Sequence, residues 1–234
     1  MRSEATARLH LSLMLGLTFT TGIIDAVGYL GLDKVFTANM TGNVVILGMA
    51  LTGAEGLPVL GPVLALGGFL LGAAAGGRVL SASRKGWGRA TTAALVVSAS
   101  ITLALGLISI VVPPVHGTVW TYILTTVLAV TMGLQAATAR RLAVADITTV
   151  VVTSTLTGFA ADSRLAGGTG ARWQRRALAV VLVLLGALVG ALLVRVGVPL
   201  GLCVAGGIAL VLALIGHFLR ETKDPAEEAT AAAE

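Results

Sequence analysis

Eight nearly unbroken apolar stretches divide the chain: Leu9–Leu32, Val35–Leu51, Leu57–Leu80, Thr91–Val112, Val119–Thr138, Ile147–Ala161, Ala177–Val196 and Pro199–Leu219. A helix needs about 20 predominantly apolar residues to cross the hydrocarbon core of a bilayer, and six of these runs meet that length. The second and sixth do not read like the others. Val35–Leu51 contains Thr37, Asn39, Thr41 and Asn43, and Ile147–Ala161 contains Thr148, Thr149, Thr153, Ser154, Thr155 and Thr157. Both are shorter and more polar, and each carries a Gly directly after a Thr (Gly42, Gly158). The pattern predicts an all-α integral membrane protein with six full crossings and two re-entrant or broken segments.

Composition agrees. Of 234 residues, 56% are hydrophobic and 12% charged, with a mean hydropathy of +0.95. Soluble domains carry about twice that charge, so a soluble enzyme is excluded, and so is a disordered chain, which needs low hydropathy and high net charge. The length leaves no room for a second, soluble domain. The first run follows Arg2 and Arg8, as a signal sequence would, but it continues through Asp25 and reads as a retained span. The single Cys203 offers neither a disulfide nor a thiolate metal site.

The net charge of +5 points to topology rather than to nucleic acid, because Lys and Arg hold loops on the cytoplasmic side. If all eight runs crossed, the sixteen Lys and Arg residues would divide evenly between the two faces. If the second and sixth runs enter and leave by one face, only Lys34 and Arg195 fall outside. The second arrangement places both termini in the cytoplasm, with Glu221–Glu234 a flexible cytoplasmic tail.

The chain also resembles itself. Thr37-Ala38-Asn39-Met40-Thr41-Gly42 matches Thr153-Ser154-Thr155-Leu156-Thr157-Gly158, Gly72 and Gly76 recur as Gly186 and Gly190, and Thr20-Thr21-Gly22-Ile23-Ile24-Asp25-Ala26 faces Thr131-Met132-Gly133-Leu134-Gln135-Ala136. A first repeat over about 9–112 and a second over about 119–219 follow, within one membrane domain. Each holds three crossings, an odd number, so the two would lie inverted, an architecture common among secondary transporters.

The runs Gly22-Ile23-Ile24-Asp25-Ala26 and Phe36-Thr37-Ala38-Asn39-Met40-Thr41-Gly42-Asn43 resemble the signature of the YoaK-like family of bacterial inner-membrane proteins, a domain of unknown function. Gly133-Leu134-Gln135-Ala136 with Arg140-Arg141, and Thr155-Leu156-Thr157-Gly158, are similar to its second signature; Ala137 stands where that pattern leads one to expect Asn. The resemblance runs from about Leu9 to Leu219. It implies a multi-pass protein of the bacterial inner (plasma) membrane and carries no substrate or activity.

The candidate site therefore comes from chemistry. Asp25 is the one carboxylate inside a predicted crossing, where a charge costs about 2.5–3.5 kcal/mol on insertion scales. Thr18, Thr21 and Asp25 fall on one helix face, and Thr131 and Gln135 form a similar stripe in the fifth run. With Thr37, Asn39, Thr41, Gly42 and Asn43 from the second run, and Thr153, Thr155, Thr157 and Gly158 from the sixth, these residues form a candidate pathway for a solute or ion. Two readings of Asp25 stay open: lining a pathway, or hydrogen-bonding the broken segment beside it. The polar segments likewise either coordinate a solute or satisfy backbone groups freed where a helix breaks. Gly68, Gly72 and Gly76 predict close helix packing, and Trp87, Trp120 and Trp173 predict interfacial anchors.

No nucleophile motif, phosphate-cradling loop, paired carboxylates or His pair at metal-ligand spacing occurs, so no enzyme, metal or cofactor is expected. The expected partners are the lipid bilayer and a small polar or cationic solute, with no nucleic acid and homo-oligomerisation left open. The functional expectation is a small-solute or ion transporter, and the alternative is a non-transporting membrane scaffold or lipid-binding partner of another complex.

Overall fold

A computed structural model describes residues 2–81, 86–142, 152–170 and 173–219. Ile147 to Val151 of the sixth run, including Thr148 and Thr149, and the tail beyond Leu219 lie outside the described residues. Among the described residues the regular structure is all helical: α1 (Arg2–Gly31), α2 (Met40–Ala50), α3 (Leu60–Ser81), α4 (Arg89–Val111), α5 (Val119–Leu142), α6 (Val152–Ala161), α7 (Trp173–Val196) and α8 (Val198–Phe218). The protein is an all-α multi-pass membrane protein. Six helices (α1, α3, α4, α5, α7 and α8) are long and apolar enough to cross a membrane. With 11 residues, α2 extends about 16 Å at 1.5 Å per residue, half of what a crossing requires; α6 has 10 described residues.

Local chemistry sets the ends. Pro113 and Pro114 follow α4 and cannot continue its hydrogen-bond ladder. A single residue, Gly197, separates α7 from α8, whose first turn contains Pro199. Beyond α1, Asp33 and Lys34 both take left-handed backbone angles (φ 55° and 56°) and turn the chain back.

Glycines decide the packing. A Cβ on Gly72 would lie 2.0 Å from the Val130 carbonyl oxygen, and one on Gly133 would lie 2.1 Å from that of Phe69, so the α3 and α5 backbones touch. On the other side of the bundle the same pattern joins α7 to α1: Gly186 packs against the Phe19 carbonyl and Gly22 against that of Val183, each too close for a Cβ to fit. The two contacts correspond residue by residue. Positions 19, 22, 23 and 26 of α1 shift by 111 to 130, 133, 134 and 137 of α5, and positions 69, 72, 73 and 76 of α3 shift by 114 to 183, 186, 187 and 190 of α7. Both pairs run parallel. A third close pair, α4 with α8, is antiparallel: Gly106 abuts Cys203 and Gly206 abuts Leu103. α1 is the most enclosed crossing and α7 the least.

At one end of the bundle, Lys34 Nζ donates to the Gly56 carbonyl at 2.8 Å, and Asp33 holds His116 at 2.8 Å and the Gly117 amide. The loops before α2, after α2 and after α4 are thus tied together there. At the opposite end, His10 stacks on Trp87. Trp87 is itself buried against Gly216 and donates to Thr92 at 3.1 Å. It is a packing element between α1, α4 and α8 and not the interfacial anchor its sequence context predicts.

Candidate functional site

The chain does not continue from α1 into α2 as a helix. Residues 35–39 descend as a non-helical leg in which Val35, Thr37 and Ala38 are buried. Descending, the leg meets Asp25, whose Oδ1 accepts the backbone N–H groups of Thr37 (3.0 Å), Ala38 (2.8 Å) and Asn39 (3.4 Å). Without water, unpaired amides at that depth would be costly, and a carboxylate is a strong acceptor for them. Oδ2 lies outside this set of bonds. The Asn43 side chain clamps the top of the leg, accepting from the Phe36 N–H at 2.9 Å and donating to the Phe36 carbonyl at 2.6 Å. Asn39 then caps α2, accepting from the Gly42 N–H at 3.3 Å.

Beside this turn lies a cavity of about 820 Å³. Its walls include Thr21, Asp25 and Tyr29 of α1, residues 38–42 at the start of α2, Phe69 of α3, Val152 and Thr153 at the start of α6, and Val183 of α7. The first turn of α2 and the first described residues of α6 therefore line one space, and α2 presents the positive end of its helix dipole to it. The Asp25 carboxylate sits at the α2 end, so among the described residues the lining combines one acid with the positive end of the α2 dipole.

Of the sequence-predicted site residues, the structure brings Thr21, Asp25, Asn39, Thr41, Gly42 and Thr153 to this cavity. Thr37 is next to it on the leg; its hydroxyl is buried with no hydrogen-bond partner among the described residues. Gln135 is one step behind the lining, with Nε2 donating to Thr21 Oγ1 at 3.2 Å, which links α5 to α1. The others stand apart. Thr18 bonds back to the Met14 carbonyl within α1. Thr131 bonds to Leu128, and its own carbonyl accepts from Ser98 of α4. Asn43 is occupied with the leg. Thr155 is buried in α6, Thr157 bonds back to Thr153, and Gly158 lies under the guanidinium of Arg176, which donates to its carbonyl and to Asp162 Oδ2. Tyr29, Phe36, Phe69 and Val183 also line the cavity; the 114-residue shift that relates Phe69 to Val183 is a sequence signal for those two, and none marks Tyr29 or Phe36.

The model of the family described as "Protein of unknown function (DUF1275)" matches residues 13–215. The chain belongs to this family. That match takes in every residue of the cavity. The chain is also similar to the UPF0700 transmembrane protein YoaK of Bacillus subtilis, 35% identical over 188 residues, which are 75% of this chain and 80% of that protein. No solved structure matches.

Proposed function

We propose that this protein is a small-solute or ion transporter of the bacterial inner membrane, with a polar pathway between two inverted repeats. The observation that carries the reading is the cavity that the first turn of α2 and residues Val152 and Thr153 of α6 share with Asp25. Broken helices meeting near the middle of a bundle, one from each half, are the recurrent binding-site design of secondary transporters. The residue-by-residue correspondence of the α1–α7 and α5–α3 contacts supports the repeats. The buried Thr37 hydroxyl is a ready partner for a polar solute. Charge supports the orientation: among the described residues, the end with His116 carries Lys34 and Arg195, while the other carries Arg8, Arg78, Arg89, Arg140, Arg141, Arg164, Arg175 and Arg176. Both termini then lie in the cytoplasm.

Asp25 serves two purposes in this reading: Oδ1 holds the leg, and the side chain's place in the cavity wall puts its charge beside the solute. The solute class is small and polar or cationic, and no catalytic step or cofactor is involved. A second reading, a non-transporting scaffold, draws on the same hydrogen bonds, since Asp25 would then be needed only for the leg. Flux in proteoliposomes separates them. Wild type should move a small cation or polar solute, and Asp25→Asn, at matched incorporation, should lose at least tenfold of that flux together with its dependence on a proton or sodium gradient. Equal flux with unchanged ion dependence would remove Asp25 from the pathway, and no flux for any small solute would favour the scaffold.

A further inference from the structure

A second cavity, of about 500 Å³, lies between α3 and α5. It is lined by Ala73, Gly77 and Ser81 of α3 and by Ala137, Arg140 and Arg141 of α5, and it reaches the end of the bundle opposite Lys34. Phe69 lines this cavity and the central one as well. From Phe69 to Ser81 is about 18 Å of helix, so the two cavities together extend from the Asp25 region to the arginine-rich end, and Phe69 is the residue among those described that lines both.

We propose that the Phe69 ring is the barrier of the pathway on its Arg140–Arg141 side. The proposal rests on the transport reading above and adds where the path is closed. A half-buried apolar ring that lines two adjoining cavities can stop water and ions by dewetting, the same device that closes hydrophobic constrictions in channels. The backbone beneath it is fixed: the Phe69 carbonyl lies against Gly133, Gly68 against the Thr126 carbonyl and Gly72 against Val130. Opening therefore belongs to the side chain and not to a displacement of α3 from α5. At the corresponding position of α7 the residue is Val183, which lines the central cavity with a smaller side chain. Phe69 thus gives one side of the path a bulk that the other side lacks.

The test uses thiol accessibility and requires no substrate. In a Cys203→Ala background, Ala73→Cys puts a thiol one helical turn beyond Phe69 in the second cavity. A small membrane-impermeant methanethiosulfonate should modify it from the Arg140–Arg141 side only. Adding Phe69→Val, which copies the residue of the second half, should raise modification from the Lys34 side at least tenfold, and Phe69→Ala should do so further. Whichever of the two variants elutes as the wild type does is scored, and Phe69→Val is the milder. The proposal is overturned if the thiol reacts equally from both sides with Phe69 present, if it reacts from neither side, or if a folded variant leaves the sidedness unchanged. A barrier that opens in a protein showing no flux would keep Phe69 and discard the transport reading.

Discussion

Lys34 and Gly56 touch, although 22 residues and a whole helix separate them. The chain that leaves α1 and the chain that enters α3 therefore emerge at the same end of the bundle. Single cysteines at Lys34, Glu55, His116 and Arg195 should all react with an impermeant label from outside the cell, and those at Arg89, Arg141 and Arg175 only after permeabilisation. Labelling of Lys34 and Glu55 from opposite faces would make α2 a crossing helix.

Asp25 satisfies three amides of the buried leg. Replacing it with Leu strands them, at about 1–3 kcal/mol for each buried group left unpaired, which is comparable to the whole stability margin of many domains. Asn keeps an acceptor oxygen in the same place. Asp25→Leu should give little monodisperse protein and expose the chain at Lys34 to trypsin, whereas Asp25→Asn should purify normally and resist cleavage. Similar behaviour of the two variants would show that the leg is held by something other than Asp25.

The glycine contacts make a contrast within one helix. Gly72 faces the α5 backbone, whereas a Cβ on Gly67 or Gly77 would meet nothing within 4 Å. Gly72→Leu should abolish folded yield, since even modest overpacking costs about 1–3 kcal/mol and here the neighbour is backbone. Gly186→Leu should do the same, and Gly77→Leu should be tolerated. Detergent-solubilised yield by size-exclusion chromatography reads all three.

Arg176 ties the far end of α6 to α7 through the Gly158 carbonyl and Asp162. Hydrogen bonds to a charged group contribute about 1.5–3 kcal/mol, so Arg176→Met should lower the Tm by about 3–12 °C in a chain of this size. An unchanged melting curve would remove Arg176 as the anchor of α6.

How much of this was legible in the sequence varies by element. The six long helices follow from uninterrupted apolar runs, and the glycine faces follow from spacing of four. The leg was legible in part: Thr37, Asn39, Thr41 and Asn43 mark Val35–Leu51 as a broken segment within hydrogen-bonding reach of Asp25, but nothing in the run says that its first five residues stay non-helical or that three of their amides go to one carboxylate oxygen. The register of the Thr-Gly match was not legible. Thr37-x-x-x-Thr41 and Thr153-x-x-x-Thr157 align by sequence, yet it is Thr41 and Thr153 that share the cavity. Threonines spaced one turn apart match equally well when slipped by a turn, so composition alone could not choose. Phe69 escaped because a search for polar lining passes over an apolar ring.

The crossed partnership of α1 with α7 and of α3 with α5 has a consequence for biosynthesis. As the chain leaves the ribosome, α1 enters the membrane long before α7 has been translated, and its glycine face, made for another backbone, has only lipid against it. The same holds for α3 until α5 arrives. Neither half can complete its own packing, so a chain truncated after α4 would present unfilled glycine faces to the proteases that survey the membrane, and would be degraded rather than persist as a half-sized protein.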